Sequence, residues 1–157
     1  MKITLIWPGK TKEDFIKSGI AKYIKYIRPM AKVEIIEVKE AKGGEISGYG
    51  KGLDEEGRRI LEQAKKGTGG AGPGYVLLDE RGKQMTSPEF AKFMENSGGG
   101  RFVIGGAYGV SSEVRQKAAF TLSLSKMTLP HELARVVLLE QIYRGLSISS
   151  GKGYHHA

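Results

Sequence analysis

The sequence predicts an α/β fold, a parallel sheet with flanking helices, and three observations carry that prediction. Short β-branched or apolar runs alternate with longer segments of helical period. Two runs, residues 75–79 and 101–104, are nearly continuous in apolar character, as in strands covered on both faces. Glycine, at 23 of 157 residues, is about twice its average usage and clusters between the periodic segments, which marks loops.

Residues 2–7 read as a first strand, ended by Pro8-Gly9. Residues 12–28 follow as an amphipathic helix, with Ile16, Ile20, Tyr23, Ile24 and Ile27 on one face and Lys17, Lys22, Lys25 and Arg28 opposite. Residues 32–38 are a second strand, rich in β-branched side chains. A glycine-rich loop at 43–52 leads to a helix over 53–66, and a second such loop at 67–74 leads to the strand at 75–79. Ser87-Pro88-Glu89 starts a helix, with Ser87 as N-cap. Gly98 to Gly100 is a loop before the strand at 101–104, and Ser111 or Ser112 caps a helix reaching about residue 119. Residues 120–124 are the fifth strand. A last helix spans about 129–146, with Thr128 near its cap and Pro130 in its first turn. Leu133, Val136, Val137, Leu138, Leu139, Ile142 and Tyr143 surround most of that helix, so it is buried on more than one side, and a homodimer supplies a natural second surface.

The chain is long enough for one domain, residues 1–157. Its 25 Lys plus Arg against 17 Asp plus Glu give a net charge of +8, which favours a polyanionic partner through counterion release. No cysteine is present, which excludes disulfides, thiolate zinc sites and thiol nucleophiles. No apolar run approaches the length of a membrane span or a secretory leader, so a cytoplasmic location is expected.

Four segments invite a chemical reading. Pro8-Gly9-Lys10-Thr11 has the context of a phosphate loop, but Thr4 stands where that motif needs its first glycine, so the segment reads as a tight strand-to-helix turn. Gly105-Gly106-Ala107-Tyr108-Gly109 lacks the dinucleotide fingerprint and is either a plain turn or a ligand loop. The stretch from Leu124 to His131 lies at the carboxyl edge of the sheet, where such folds bind ligands, and is either that or a helix-capping loop. The tail Tyr154-His155-His156 is solvated, part of a tag, a metal site without visible partners, or functional if tethered to the body.

Together these segments resemble one known family. The stretch from Ser123 to Arg144, the opening Met1-Lys2-Ile3 with Gly9-Lys10, Leu78-Asp79-Glu80-Arg81-Gly82, Ile104-Gly105-Gly106 and the ending Tyr154-His155-His156 stand in the right order and spacing. The chain resembles the SPOUT-class large-subunit ribosomal RNA methyltransferases, which methylate N3 of a pseudouridine. Gly145 stands where that family usually has Ala.

The resemblance implies a C-terminal trefoil knot (the α/β knot), a homodimer, S-adenosyl-L-methionine as cofactor and ribosomal RNA as substrate, with neither metal nor membrane. Carried over by position, it places the cofactor against Leu78, Gly105 and the loop Leu124, Ser125, Lys126, Met127, Thr128 and Leu129. Methyl transfer to an imide nitrogen requires alignment and handling of the departing proton. His155 is the acid–base candidate, Arg144 a cation for the base oxygens unless it only complements the helix dipole, and Tyr154 a stacking platform. Two other readings remain: a basic RNA-binding module without catalysis, and a methyltransferase of this fold acting on transfer RNA.

Overall fold

A computed structural model describes residues 1–42, 46–66 and 74–155, with only the backbone of 46–49 and 51. Most of the loop at 67–74 and the residue His156 therefore lie outside the described residues. Five strands, β1 (Lys2–Pro8), β2 (Lys32–Val38), β3 (Val76–Gln84), β4 (Gly99–Ile104) and β5 (Phe120–Ser123), form one sheet in the order β2-β1-β4-β3-β5. Every pairing is parallel, so all the strands end at one edge. Helices α1 (Asp14–Ile27), α2 (Ile46–Lys65), α3 (Ser87–Asn96), α4 (Ser112–Lys117) and α5 (His131–Ser149) connect or follow them.

Two apolar cores explain why both sheet faces are covered. Ile3, Leu5, Phe102 and Ile104 pack with α1, α3 and α5 on one face. Ile6, Leu77 and Val103 pack on the other with Ile60, Leu61 and Ala64 of α2 and Val114 of α4. Helix α5 packs against α1 on one side, α3 on another and β4 beneath, so much of its apolar circumference is buried within the chain. Leu138, Leu139 and Ile142 are fully buried there, each stabilising the docked helix by about 1.5–3 kcal/mol. Leu133 and Val137 stay half-buried.

Several boundaries differ from expectation. Helix α2 begins at Ile46, so residues 46–52 are helical rather than loop: Gly48, Gly50 and Gly52 lower helix propensity locally, but propensity is a weak prior. Gly99 and Gly100 belong to β4, not to a loop. Gly99 takes φ +119°, and a Cβ there would run into the Lys2 carbonyl of β1, so glycine is what lets the strands pair. The N-cap of α3 is Thr86, not Ser87. Its side chain accepts from Glu89 N at 3.3 Å while Glu89 accepts from Thr86 N at 2.7 Å, a reciprocal box that Ser87 is one residue too late to make. Helix α5 starts at His131 after Pro130, and Thr128 spends its hydroxyl on Glu80 (2.5 Å) instead of capping it.

Gly145 has a packing reason. A Cβ there would run into the Met94 methyl and stand 3.3 Å from the Ala91 Cα, so α3 and α5 approach closely at this point.

Candidate functional site

The carboxyl edge carries a cleft because β3 does not end where its apolar run ends. Leu78 pairs with Leu122, and then Lys83 pairs with the same Leu122, so residues 79–82 bulge out of the sheet. That excursion puts Asp79 and Glu80 beside the cleft mouth. Residues after β4 (Ile104, Gly105, Gly106, Gly109) form a second wall, and Leu124, Ser125, Met127 and Leu129 after β5 a third. His131 and Ala134, in the first turn of α5, close it. The inner cleft holds about 150 Å³ and opens into a wider depression of about 670 Å³ that adds Arg81, Ala107, Arg115, Thr128 and Pro130.

The loop after β5 is held by its own hydroxyls. Ser123 Oγ donates to the Ser125 carbonyl at 2.9 Å, the Met127 amide donates to Ser125 Oγ at 2.9 Å, and Thr128 reaches across to Glu80. Gly105 sits where the chain doubles back. A Cβ there would stand 2.9 Å from the Gly109 carbonyl oxygen and 3.0 Å from a Val110 methyl. Its role is thus to let the 106–109 turn close rather than to leave room on the cleft side.

Electrostatics separate the polar groups. Burial pushes the Asp79 carboxyl up, but hydrogen bonds from Arg81 and Arg115 outweigh it and hold the group well below the usual carboxylate range. Burial, then the nearby Arg135, lowers the His131 pKa, which keeps the ring neutral at neutral pH. Arg135 itself is 1% exposed, lies 4.8 Å over the Trp7 ring, and donates to the Pro8 carbonyl and the Thr11 hydroxyl, both at 2.9 Å. It ties the start of α5 to the end of β1.

The tail residues form a second cluster. Glu140 Oε1 accepts from Arg144 Nε at 3.0 Å, from Arg144 Nη2 at 2.5 Å and from the Tyr154 hydroxyl at 3.4 Å. The guanidinium lies 4.9 Å over the Tyr154 ring, and Arg144 Nη1 is 3.4 Å from His155 Nδ1. Tyr154 packs on Tyr143 with ring centroids 4.5 Å apart. Burial, then Glu140, pushes the Tyr154 pKa up to about 12. Ala134 at the cleft and Arg144 in this cluster are ten residues apart on one helix, about 15 Å along its axis.

Of the residues anticipated for the cofactor, Leu78, Gly105, Leu124, Ser125, Met127 and Leu129 line the inner cleft and Thr128 the outer depression. Lys126 lines neither and is exposed. The anticipated catalytic residues Arg144, Tyr154 and His155 are brought together, but away from the cleft. His131 ends the stretch from Leu124 that the sequence offered as a ligand loop, whereas Asp79, Glu80 and Ala134 were not anticipated at the cleft, although Asp79-Glu80 directly follows a buried apolar run, where a sheet of this kind keeps its ligands. Among the described residues, no group of three or more His, Asp or Glu side chains can hold a metal ion, and no helix is long and apolar enough to cross a membrane.

An open parallel sheet with a cleft built from the loops at its carboxyl edge defines an α/β domain of the ligand-binding kind. The chain belongs to the SPOUT methyltransferase family, whose description, "Predicted SPOUT methyltransferase", matches residues 1–155. A protein of Thermodesulfovibrio yellowstonii named Ribosomal RNA large subunit methyltransferase H is 44% identical over 155 residues, covering 99% of both chains. One of the same name from Geotalea daltonii is 42% identical over 161 residues, covering 99% of this chain and all of that one. Among solved structures, TrmJ from Z. mobilis shares the fold at a TM-score of 0.51 and 15% identity, over 92% of this chain and 70% of that one.

Proposed function

We propose that this single domain, residues 1–157, transfers a methyl group from S-adenosylmethionine to N3 of a pseudouridine in large-subunit ribosomal RNA. The names of the full-length relatives support the reaction and substrate class, and the cleft supports the cofactor. Leu78, Ile104, Leu124, Leu129 and Ala134 give apolar walls suited to a purine, and Glu80 offers a carboxylate to hydroxyls or a positive charge. The neutral His131 does not repel a sulfonium. The inner cleft alone is small for a nucleoside, but with the outer depression the site has the size usual for ligand pockets, about 300–1,000 Å³. When bound, S-adenosylmethionine supplies an electrophilic methyl group and no metal is needed.

The observation that carries the rest is the separation of the two clusters. Reacting atoms must come within about 3–3.5 Å, whereas Ala134 and Arg144 lie about 15 Å apart along α5. In our reading the enzyme is a homodimer, and the Arg144, Tyr154 and His155 cluster of one subunit completes the cleft of the other. The apolar circumference of α5 adds little to this, since α1 and α3 bury much of it. Mixing two inactive variants tests the arrangement: Ala134→Leu fills the cleft, and His155→Ala removes a tail group. If the tail serves the partner, an equimolar mixture regains about a quarter of wild-type activity, because about half its dimers are mixed and each of those has one intact site of two. No recovery after subunit exchange contradicts the reading.

We assign the trefoil knot on the family and on the path of α5, which returns from the edge strand β5 to pack against α1. Stretched from its ends, a knotted chain stops short of the full extension of about 3.5 Å per residue, and reaching it contradicts the knot. The expected place of action is the cytoplasm, where ribosomes are.

A further inference from the structure

We propose that His155 acts as a hydrogen-bond donor to the target base and not as its general base, and that Glu140 and Arg144 are positioning residues that impose this role. The inference rests on the tail reading above. Arginine carries only donors, so the contact between Arg144 Nη1 and His155 Nδ1 at 3.4 Å requires Nδ1 to accept. A neutral imidazole whose Nδ1 accepts carries its proton on Nε2. The nitrogen left to face a substrate is therefore an N–H and has no lone pair to receive a proton.

Arg144 is fixed in this orientation. Its Nε and Nη2 both donate to Glu140 Oε1, and its plane is backed by the Tyr154 ring. Glu140 is itself held, because its Oε2 accepts from Gln141 Nε2 at 2.6 Å and Gln141 Oε1 accepts from the Ser87 hydroxyl at 2.7 Å. The chain of contacts from α3 through α5 to the tail thus sets one ring tautomer. Arg144, already neutralised by Glu140, is a poor free cation for the base, and its effect passes through His155.

In the reaction, the Nε2–H donates to a carbonyl oxygen beside N3, where negative charge gathers as the imide ionises. The N3 proton goes to solvent water. The electron pair left on N3 makes the bond to the methyl carbon as the bond from that carbon to sulfur breaks and its pair stays on sulfur.

Two measurements on the full-length dimer test this. The chain has three histidines, so nitrogen NMR of the labelled protein can resolve the His155 ring. It should show a proton on Nε2 and none on Nδ1, and Arg144→Met should mix the tautomers; a Nδ1–H ring in the wild type overturns the proposal. For activity on ribosomal substrate, His155→Gln keeps a donor near the Nε2 position but no base. It should hold within about tenfold of wild type while His155→Ala falls about 100-fold or more. If both variants are equally slow, the donor role is wrong and the tail reading stands. If His155→Ala is as fast as wild type, the tail reading itself fails and takes this inference with it.

Discussion

Replacing Gly105 by Ala is a small change with a calculable effect. The added Cβ would stand 2.9 Å from the Gly109 carbonyl oxygen and 3.0 Å from the Val110 methyl, whereas ordinary contact begins near 3.4 Å. The obstruction is backbone, so no flexible side chain can turn away, and the 106–109 turn must move by about half an ångström. Ile104, Gly105, Gly106 and Gly109 form one wall of the cleft, so the shift reaches the cofactor directly. Overpacking of this kind costs about 1–3 kcal/mol of stability. Misplacing one or two ligand contacts costs about 1–2 kcal/mol of binding, which is about 5- to 30-fold in Kd. A bulkier Gly105→Val would disturb the fold more, so it is a poor probe of binding alone. Calorimetric titration with S-adenosylmethionine, with thermal melts beside it, reads both effects. Gly153→Ala, which meets nothing within 4 Å, is the control and should change neither. An unchanged Kd and an unchanged Tm for Gly105→Ala would mean that the turn accommodates the Cβ without moving the cleft wall.

Other outcomes follow from the same contacts. Deleting residues 153–157 removes the Tyr154 packing on Tyr143 and should lower stability by about 1 kcal/mol, while methyl transfer falls about 100-fold or more; a normal rate would make the tail a solvated end. Light scattering at low micromolar concentration should give twice the 17.1 kDa chain mass, and a folded monomer there would contradict the shared site. The His131 pKa lies below its unfolded value of about 6.5, so its contribution to stability is present above that pH and is lost as pH falls through the lowered value. His131→Gln should flatten the dependence of Tm on pH in that window, and an unaltered slope would count against the burial effect. Gly145→Ala gains about 1 kcal/mol of helix propensity but must displace the Met94 methyl; Met94→Ala in that background should melt higher than Met94→Ala alone.

The sequence made the strand runs and the order of the loops legible because burial on both faces leaves a local signature at 75–79 and 101–104. The cleft walls at Gly105 and at the loop from Leu124 were legible because each follows a strand run at the carboxyl edge, while Leu78, inside β3, was placed only by the family resemblance. The bulge that brings in Asp79 and Glu80 was not legible, since it arises from β3 pairing twice with Leu122, a register set by another strand. Arg135 read as part of a mostly apolar helix, and its burial depends on Trp7, Pro8 and Thr11, more than 120 residues away in sequence. The distance between the cleft and the tail cluster required the length of α5 as well as its composition.

Methyl transfer to one nitrogen of one ribosomal base is read out by analysis of the methylated product. The protein is incubated with methyl-labelled S-adenosylmethionine and with free large-subunit RNA, isolated subunits or assembled ribosomes from cells lacking the enzyme. The RNA is then digested to nucleosides. Label is expected in N3-methylpseudouridine from large-subunit RNA and should be abolished by Ala134→Leu. Label in another nucleoside, or in none of the three substrates while the cofactor binds, would contradict it.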